Sequence, residues 1–316
     1  MPEGDSVRRT AARLHQALAG RELVRAELRW GDLGGVNVTG RTVSDVTAYG
    51  KHLLTHLEPA GSAAVSSAGA ARIPTAPDVA LTLHSHLRMD GTWVVYRTGS
   101  RRWPSPADQR VRAVLASAEW TAEGRWLGML DLLPTADERQ LLGHLGPDVM
   151  ADDFPDRGMP VALQRLATMP DRPIGAALLD QRVVAGIGTI YMSESLFARR
   201  VSPWVPVDEV DAAALLGMAR RQLLRSVRLP MPNTTGDPRR GQEMYVHGRS
   251  GRPCRRCGST VRVAPVGDPP RDRPAFYCPS CQVGPTPTDD GRPRAPLGSM
   301  PARPFSLRNN GLKRRW

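Results

Sequence analysis

The residues with the most chemical potential stand at the start of the chain, "MPEGDSVRRT", which sets a proline and a carboxylate where most chains fray. Proline is small enough for ordinary removal of the initiator, and without Met1 the nitrogen of Pro2 is a secondary amine. An α-amine titrates near about 8, against about 10.4 for lysine. The positive end of a helix beginning at Asp5 lowers it further. Such an amine is substantially neutral at cellular pH and can attack a carbon to form a cationic imine. Glu3, one residue on, is a candidate proton donor or shuttle. Lys51, in the turn Tyr49-Gly50-Lys51, can offer a cation. It is conspicuous because the chain otherwise uses arginine, with Lys313 the only other lysine.

The second constellation is the cysteines. All four lie in Cys254-x2-Cys257 and Cys278-x2-Cys281, two knuckles separated by a spacer that can close as a hairpin. Each knuckle can give two thiolates to one tetrahedral ion. Four thiolates leave no open coordination position, so the expected zinc is structural. The alternative, two disulfides, is disfavoured in the reducing interior expected for this chain. Arginines crowd the knuckles, in "RRC" and "RDR", so the hairpin presents cations.

Two weaker signals remain. "VVAGIGTIYMSESLF" places Gly186 and Gly188 just before a helix, whose free amides could hold a phosphate. Without a third glycine or a preceding strand it is not a dinucleotide fingerprint, and a tight helix–helix turn explains it equally well. His84 and His86 alternate on one strand face with no evident third ligand, the pattern of a satisfied polar pair.

The elements that must position these groups change character midway. Val7, Ala11, Leu14 and Leu18 recur at helical spacing after a cap at Asp5 or Ser6, and Gly20 ends the helix. Strand patterns follow at 22–30, 41–49, 52–58, 79–87, 92–97, 110–117 and 126–133. They predict a β-sandwich with the helix on its edge, interrupted by a flexible insertion at 59–77. After 135 the pattern is helical, near 161–168, 173–181, 189–199 and 208–228, and residues 229–245 read as a loop into the cysteine hairpin. The expected organisation is a β-sandwich domain at 1–135, a linker at 136–158, a helical domain at 159–230, a loop and zinc hairpin at 231–283, and a disordered basic tail at 284–316. The fold class is α+β.

The net charge of +12 is asymmetric. Residues 1–150 carry 17 Lys and Arg against 16 Asp and Glu, whereas residues 151–316 carry 26 against 15. A basic second half argues for a polyanionic partner such as nucleic acid. No apolar run approaches bilayer length and no hydrophobic signal segment opens the chain, so a membrane role is not expected and the predicted location is cytoplasmic, near the nucleoid.

Taken together, these motifs resemble the formamidopyrimidine-DNA glycosylase/endonuclease VIII family of base-excision repair enzymes. The matching stretches are "PEG" at 2–4, "YGKHLLTHL" at 49–57, "HLRMDG" at 86–91, "LLDQRVVAGIGTIYMSESLF" at 178–197 and "VHGRSGRPCRRCG…RPAFYCPSC" at 246–281, and they span roughly residues 2–283. The "PEG" start and the short "NTTGDPRRGQ" at 233–242 look more like the endonuclease VIII branch, and the compact version resembles its actinobacterial group. The resemblance implies a helix-two-turn-helix in the helical domain and damaged DNA as partner, bound by a monomer. Pro2 is then the nucleophile, Glu3 the acid that assists sugar-ring opening, and Lys51 a phosphate contact near the lesion. Met89 matches the side chain that fills the gap left by a flipped base, and Arg273 the hairpin arginine that grips phosphate. Gly188 and Thr189 fall where the family binds DNA backbone, with Thr189 replacing the usual asparagine. The implied activity is that of a bifunctional glycosylase and AP lyase with oxidised pyrimidines favoured. A non-catalytic zinc-ribbon DNA-binding protein is the rival reading, and it leaves Pro2, Glu3 and Lys51 unexplained.

Overall fold

The computed structural model describes residues 2–59 and 78–287. The insertion expected at 59–77 and the tail expected at 284–316 lie almost wholly outside those residues.

Helix α1 (Gly4–Leu18) buries the predicted stripe Val7, Ala11, Leu14 and Leu18. Its cap differs from expectation. The first helical residue is Gly4, and Glu3 occupies the cap position, where its amide donates to the Ser6 hydroxyl at 2.9 Å. The Glu3 side chain is thereby released for other work.

Two sheets form the sandwich. One has the order β1-β3-β4-β5-β9, from strands β1 (Arg21–Glu22), β3 (Thr42–Tyr49), β4 (His52–Glu58), β5 (Leu81–His86) and β9 (Met129–Pro134). The other is β2-β7-β8-β6, from β2 (Arg25–Leu28), β7 (Val111–Ala116), β8 (Trp120–Arg125) and β6 (Thr92–Arg97). Every pairing within them is antiparallel. Leu14 and Leu18 meet Val43, Leu53, Leu57, Leu83, Leu115 and Trp93 in one core between the layers.

Two expectations need correction here. The strand expected over 22–30 is divided, because the chain passes from one sheet to the other at Leu23 and Val24. Strand β8 was not anticipated, and the strand expected from 126 begins at Met129. "WTAEGR" contains residues depleted in strands, yet β8 is central. Gly124 leaves room for the Trp93 indole, which an added Cβ would meet at 3.2 Å, and Glu123 accepts from the Tyr96 hydroxyl at 3.1 Å. Tertiary packing overrides local preference.

The second half is helical. A short helix α2 (Arg139–Leu142) leads to α3 (Met159–Ala167), α4 (Ile174–Leu179), α5 (Thr189–Arg199) and α6 (Ala212–Val227). Their core joins Phe154, Leu166, Ile174, Ile187, Leu215 and Leu223. A hairpin of β10 (Arg262–Val266) and β11 (Arg273–Tyr277) follows, and the Phe276 amide on it donates to the Ser193 hydroxyl of α5 at 3.1 Å. Among the described residues no helix is long and apolar enough to cross a membrane.

The two halves meet where α1 begins. The Gly4 amide donates to the Gly186 carbonyl at 3.1 Å, and Arg9 Nη1 reaches the carbonyls of Ser226 and Leu229 at 2.5 and 2.9 Å, at the end of α6. The chain start is therefore fastened to the loop before α5.

Candidate active site

Glu3 is the most heavily held group at this junction. It is 1% exposed. Its Oε2 accepts from the Gly188 amide at 2.9 Å, its Oε1 from the Ile190 amide at 2.7 Å, and the Tyr191 amide lies 3.4 Å from Oε2. The helix-end amides that the sequence suggested for a phosphate thus hold a side chain of the protein itself. The positive end of α5 suits a carboxylate there. Gly188 is required by contact: a Cβ would lie 2.4 Å from Glu3 Cδ. Burial outweighs these favourable contacts and pushes the Glu3 carboxyl up to about 7, with Lys51 and the Ile190 amide opposing and Asp5 adding to the rise. A carboxyl poised near neutrality is suited to giving and taking protons.

Lys51 sits in the β3–β4 turn. Gly50 there adopts φ +56, and a Cβ on it would strike Ala185 Cβ at 2.7 Å, so only glycine lets the turn close on the loop before α5. Lys51 faces Glu3 and Arg273. Burial lowers its ammonium pKa, Glu3 raises it and Arg273 lowers it again.

Pro2, Lys51, Met89, Gly188, Thr189 and Arg273 all line one cleft of about 1290 Å³. Met89 is 62% exposed on the β5–β6 turn, and Arg273 opens β11 with Nη1 donating to the Arg271 and Asp272 carbonyls at 3.1 and 2.8 Å. Residues 271 positions apart in sequence therefore share one wall-to-wall site of nucleotide-accommodating size.

The four cysteine sulfurs lie within 4.8 Å of one another, with Cys254–Cys281 at 3.9 Å and Cys257–Cys278 at 3.4 Å. A tetrahedral ion bound by thiolates at about 2.3 Å sets its sulfurs about 3.8 Å apart. The quartet fits, and it is the only such cluster among the described residues.

Two features escaped the sequence. His52 joins His84 and His86: its Nδ1 lies 2.9 Å from His84 Nε2, and His84 Nδ1 lies 2.9 Å from Asp131 Oδ2. Burial, reinforced by the neighbouring histidines and by Lys51, holds His52 at about 3, and burial with Lys51 beside it holds His86 at about 4, so both rings are neutral at physiological pH. Cross-strand register is what the single sequence could not supply. Glu194, fully buried in α5, accepts from the amides of Tyr245, Val246 and His247 at 2.9, 2.8 and 2.8 Å and also from the Thr234 hydroxyl. It anchors the approach to the cysteine hairpin. A lone glutamate inside the apolar run "YMSESLF" was the available clue.

Residues 1–131 match the formamidopyrimidine-DNA glycosylase N-terminal domain, and residues 145–227 match the formamidopyrimidine-DNA glycosylase H2TH domain. The chain is 47% identical over 296 residues to "Probable endonuclease 8 2" of Streptomyces coelicolor, covering 92% of this chain and 98% of that protein. The chain belongs to the formamidopyrimidine-DNA glycosylase/endonuclease VIII family. It is also 37% identical over 284 residues to "DNA-(apurinic or apyrimidinic site) lyase Nei2" of Mycolicibacterium smegmatis, covering 90% and 99% of the two chains. The family fold is seen in the Lactococcus lactis formamidopyrimidine-DNA glycosylase bound to DNA containing an AP site, which superimposes with a TM-score of 0.69 at 20% identity over 90% of this chain and 100% of that one. The sandwich, the helical H2TH domain and the strand pair flanked by the four cysteines are those of this family.

Proposed function

We propose that this protein is a bifunctional DNA glycosylase and AP lyase that starts base-excision repair, with the Pro2 nitrogen as nucleophile. The observation that carries the proposal is the placement of Glu3: buried, held by α5, and next in the chain to Pro2, which lines the cleft together with Lys51. After loss of Met1, the Pro2 nitrogen attacks C1′ of the damaged nucleotide, the bond from C1′ to the base breaks, and the proton shed by the Pro2 nitrogen balances the one the departing base takes up. Glu3 delivers a proton to the sugar ring oxygen as the ring opens, leaving an iminium between Pro2 and C1′. The iminium acidifies the C2′–H. Loss of that proton expels the 3′ phosphate and cuts the strand, and water then hydrolyses the imine to free the amine.

Lys51 and Arg273, which line the same cleft, would contact the phosphates that flank the lesion, and the exposed, flexible apolar side chain of Met89 would fill the gap left by a flipped base. Thr189 brings one hydroxyl where the family usually carries asparagine, so its phosphate grip has fewer donors. Cys254, Cys257, Cys278 and Cys281 would hold one zinc, which supplies fold to the hairpin and takes no part in the reaction. The predicted substrate is an oxidised pyrimidine, on the "PEG" start and the short 233–242 loop, and the protein acts on damaged DNA as a monomer.

Side-by-side single-turnover assays on matched duplexes test this. Oxidised pyrimidines are expected to be released faster than 8-oxoguanine opposite cytosine. Protein carrying an uncleaved N-terminal extension is expected to bind DNA yet neither excise bases nor cut abasic sites, because its Pro2 nitrogen is a tertiary amide. Full activity with the extension in place would overturn the mechanism, and faster release of 8-oxoguanine would overturn the substrate preference.

A further inference from the structure

A second carboxylate lies buried beneath the site and is not used by the chemistry above. Asp5 is 0% exposed, at the second position of α1. Its one charged contact is Arg9 Nη2, 3.4 Å from Oδ2, and neither oxygen has a hydrogen-bond partner of good geometry. Arg9 is itself shared, since its other terminal nitrogen is committed to the Ser226 and Leu229 carbonyls. The buried Tyr191 hydroxyl lies between Asp5 and Ser226 and interacts with both, at a geometry short of a well-formed hydrogen bond. The same Tyr191 turns its backbone amide toward Glu3. Two buried carboxylates thus flank one residue of α5, two positions apart on one chain.

Stability alone does not account for this arrangement. An acidic residue in the first turn of a helix gains from the helix dipole when its oxygens are solvated or capped, and a buried ion pair repays its desolvation only when its remaining lone pairs are satisfied. The Asp5 oxygens are unsolvated, and Arg9, the Tyr191 hydroxyl and the Ser6 amide approach them without a well-formed hydrogen bond. Burial pushes the Asp5 carboxyl up, with Arg9 opposing. Buried polar groups left unsatisfied in this way gather at functional sites.

We propose that Asp5 is a positioning residue for the catalytic proton: its buried carboxylate, two residues from Glu3 at the same helix end and against the same Tyr191, adds to the burial that keeps Glu3 in the acid form that base excision consumes. The proposal rests on Glu3 being that acid. The groups facing Glu3 set the balance from every side: Lys51 and the amides of Gly188, Ile190 and Tyr191 favour its charge, and Asp5 opposes it. The free amine of Pro2 would join the first group. Arg9, the Tyr191 hydroxyl and the Ser6 amide face Asp5, and Arg9 is the cation that favours its charge.

The test is the pH dependence of single-turnover base excision by Asp5→Asn, with cleavage of a preformed abasic site measured in parallel. Removing the like charge lets Glu3 lose its proton earlier. The alkaline limb of excision is expected to move to lower pH by about 0.5–1 unit, the size of one nearby charge in a partly screened interior. The loss relative to wild type should then be about two- to fivefold larger at pH 8 than at pH 6. Asp5→Glu should restore the limb, and the abasic-site profile should shift less than the excision profile. A purely structural role would lower both activities at every pH, and superimposable excision limbs would overturn the proposal. Should Asp5→Asn fail to fold, the ¹³C titration of the Glu3 carboxyl in the unaltered protein decides: two coupled steps support the proposal and a single step overturns it. Glu3→Gln in the same series separates the two layers, because excision surviving in that variant removes the acid assignment itself, whereas its loss alongside an unshifted Asp5→Asn limb removes only the role of Asp5.

Discussion

Replacing Gly188 by alanine adds one methyl group, and the structure says where it would go. The backbone at Gly188 is extended, with φ −130 and ψ −163, so alanine meets no backbone strain there. The added carbon would instead lie 2.4 Å from Glu3 Cδ and 2.6 Å from Oε1, whereas ordinary contact begins near 3.4 Å. The carboxyl must retreat by about 1 Å, and a displacement of that size at a reacting centre costs about 10²-fold in rate. Retreat also breaks or lengthens the 2.9 and 2.7 Å bonds from the Gly188 and Ile190 amides. Hydrogen bonds to a charged group are worth about 1.5–3 kcal/mol each, so a stability loss of about 2 kcal/mol accompanies the change. Single-turnover excision by Gly188→Ala is therefore expected to fall about 10²-fold, and cleavage of a preformed abasic site less, about tenfold, since the base has already departed there. Excision within about threefold of wild type would refute the claim that α5 positions Glu3 for catalysis.

Protonation of Glu3 also has a stability signature. Its folded value near 7 stands above the ordinary 4.5, so the folded state binds the proton more tightly and loses stability as pH rises from about 4.5 through 7. This group alone is expected to remove about 3 kcal/mol between those limits, and denaturant titrations of Glu3→Gln at pH 5 and pH 8 should lack that fall. Cys278→Ser is expected to release the metal and loosen the hairpin that carries Arg273, weakening DNA binding while the sandwich domain stays folded; one zinc per chain with full DNA affinity would contradict the cysteine assignment. Arg273→Ala should weaken binding to all sequences alike and reduce the salt slope by about one phosphate contact, as anisotropy titrations over a range of salt would read.

Much of this architecture was legible from periodicity and spacing. The α1 stripe, most sandwich strands and the cysteine knuckles each carry a local signal that tertiary contacts reinforce. β8 was not legible, because its alanine, glutamate and glycine are chosen by what surrounds them: Gly124 makes way for Trp93 and Glu123 answers Tyr96. The cap of α1 was misplaced by two or three residues for a related reason, since Glu3 ends the helix while its side chain is drawn away to α5. The candidate site was legible as residue types but not as a constellation. Nothing local in "AGIGTI" says that its amides face inward to a carboxylate from the other end of the chain, or that Gly50 is there to admit Ala185. His52 and Glu194 follow the same rule: their partners come from other strands and loops, at separations a single sequence does not encode.

The central claim is that the nitrogen of Pro2 becomes covalently joined to the sugar. Borohydride reduction during reaction with abasic-site DNA, followed by protease digestion and mass spectrometry, locates that bond directly. One DNA adduct is expected, reduced to a stable amine, on an N-terminal peptide that begins at Pro2. An adduct on Lys51 with Pro2 unmodified, or no adduct on protein that still cuts abasic sites, would contradict it.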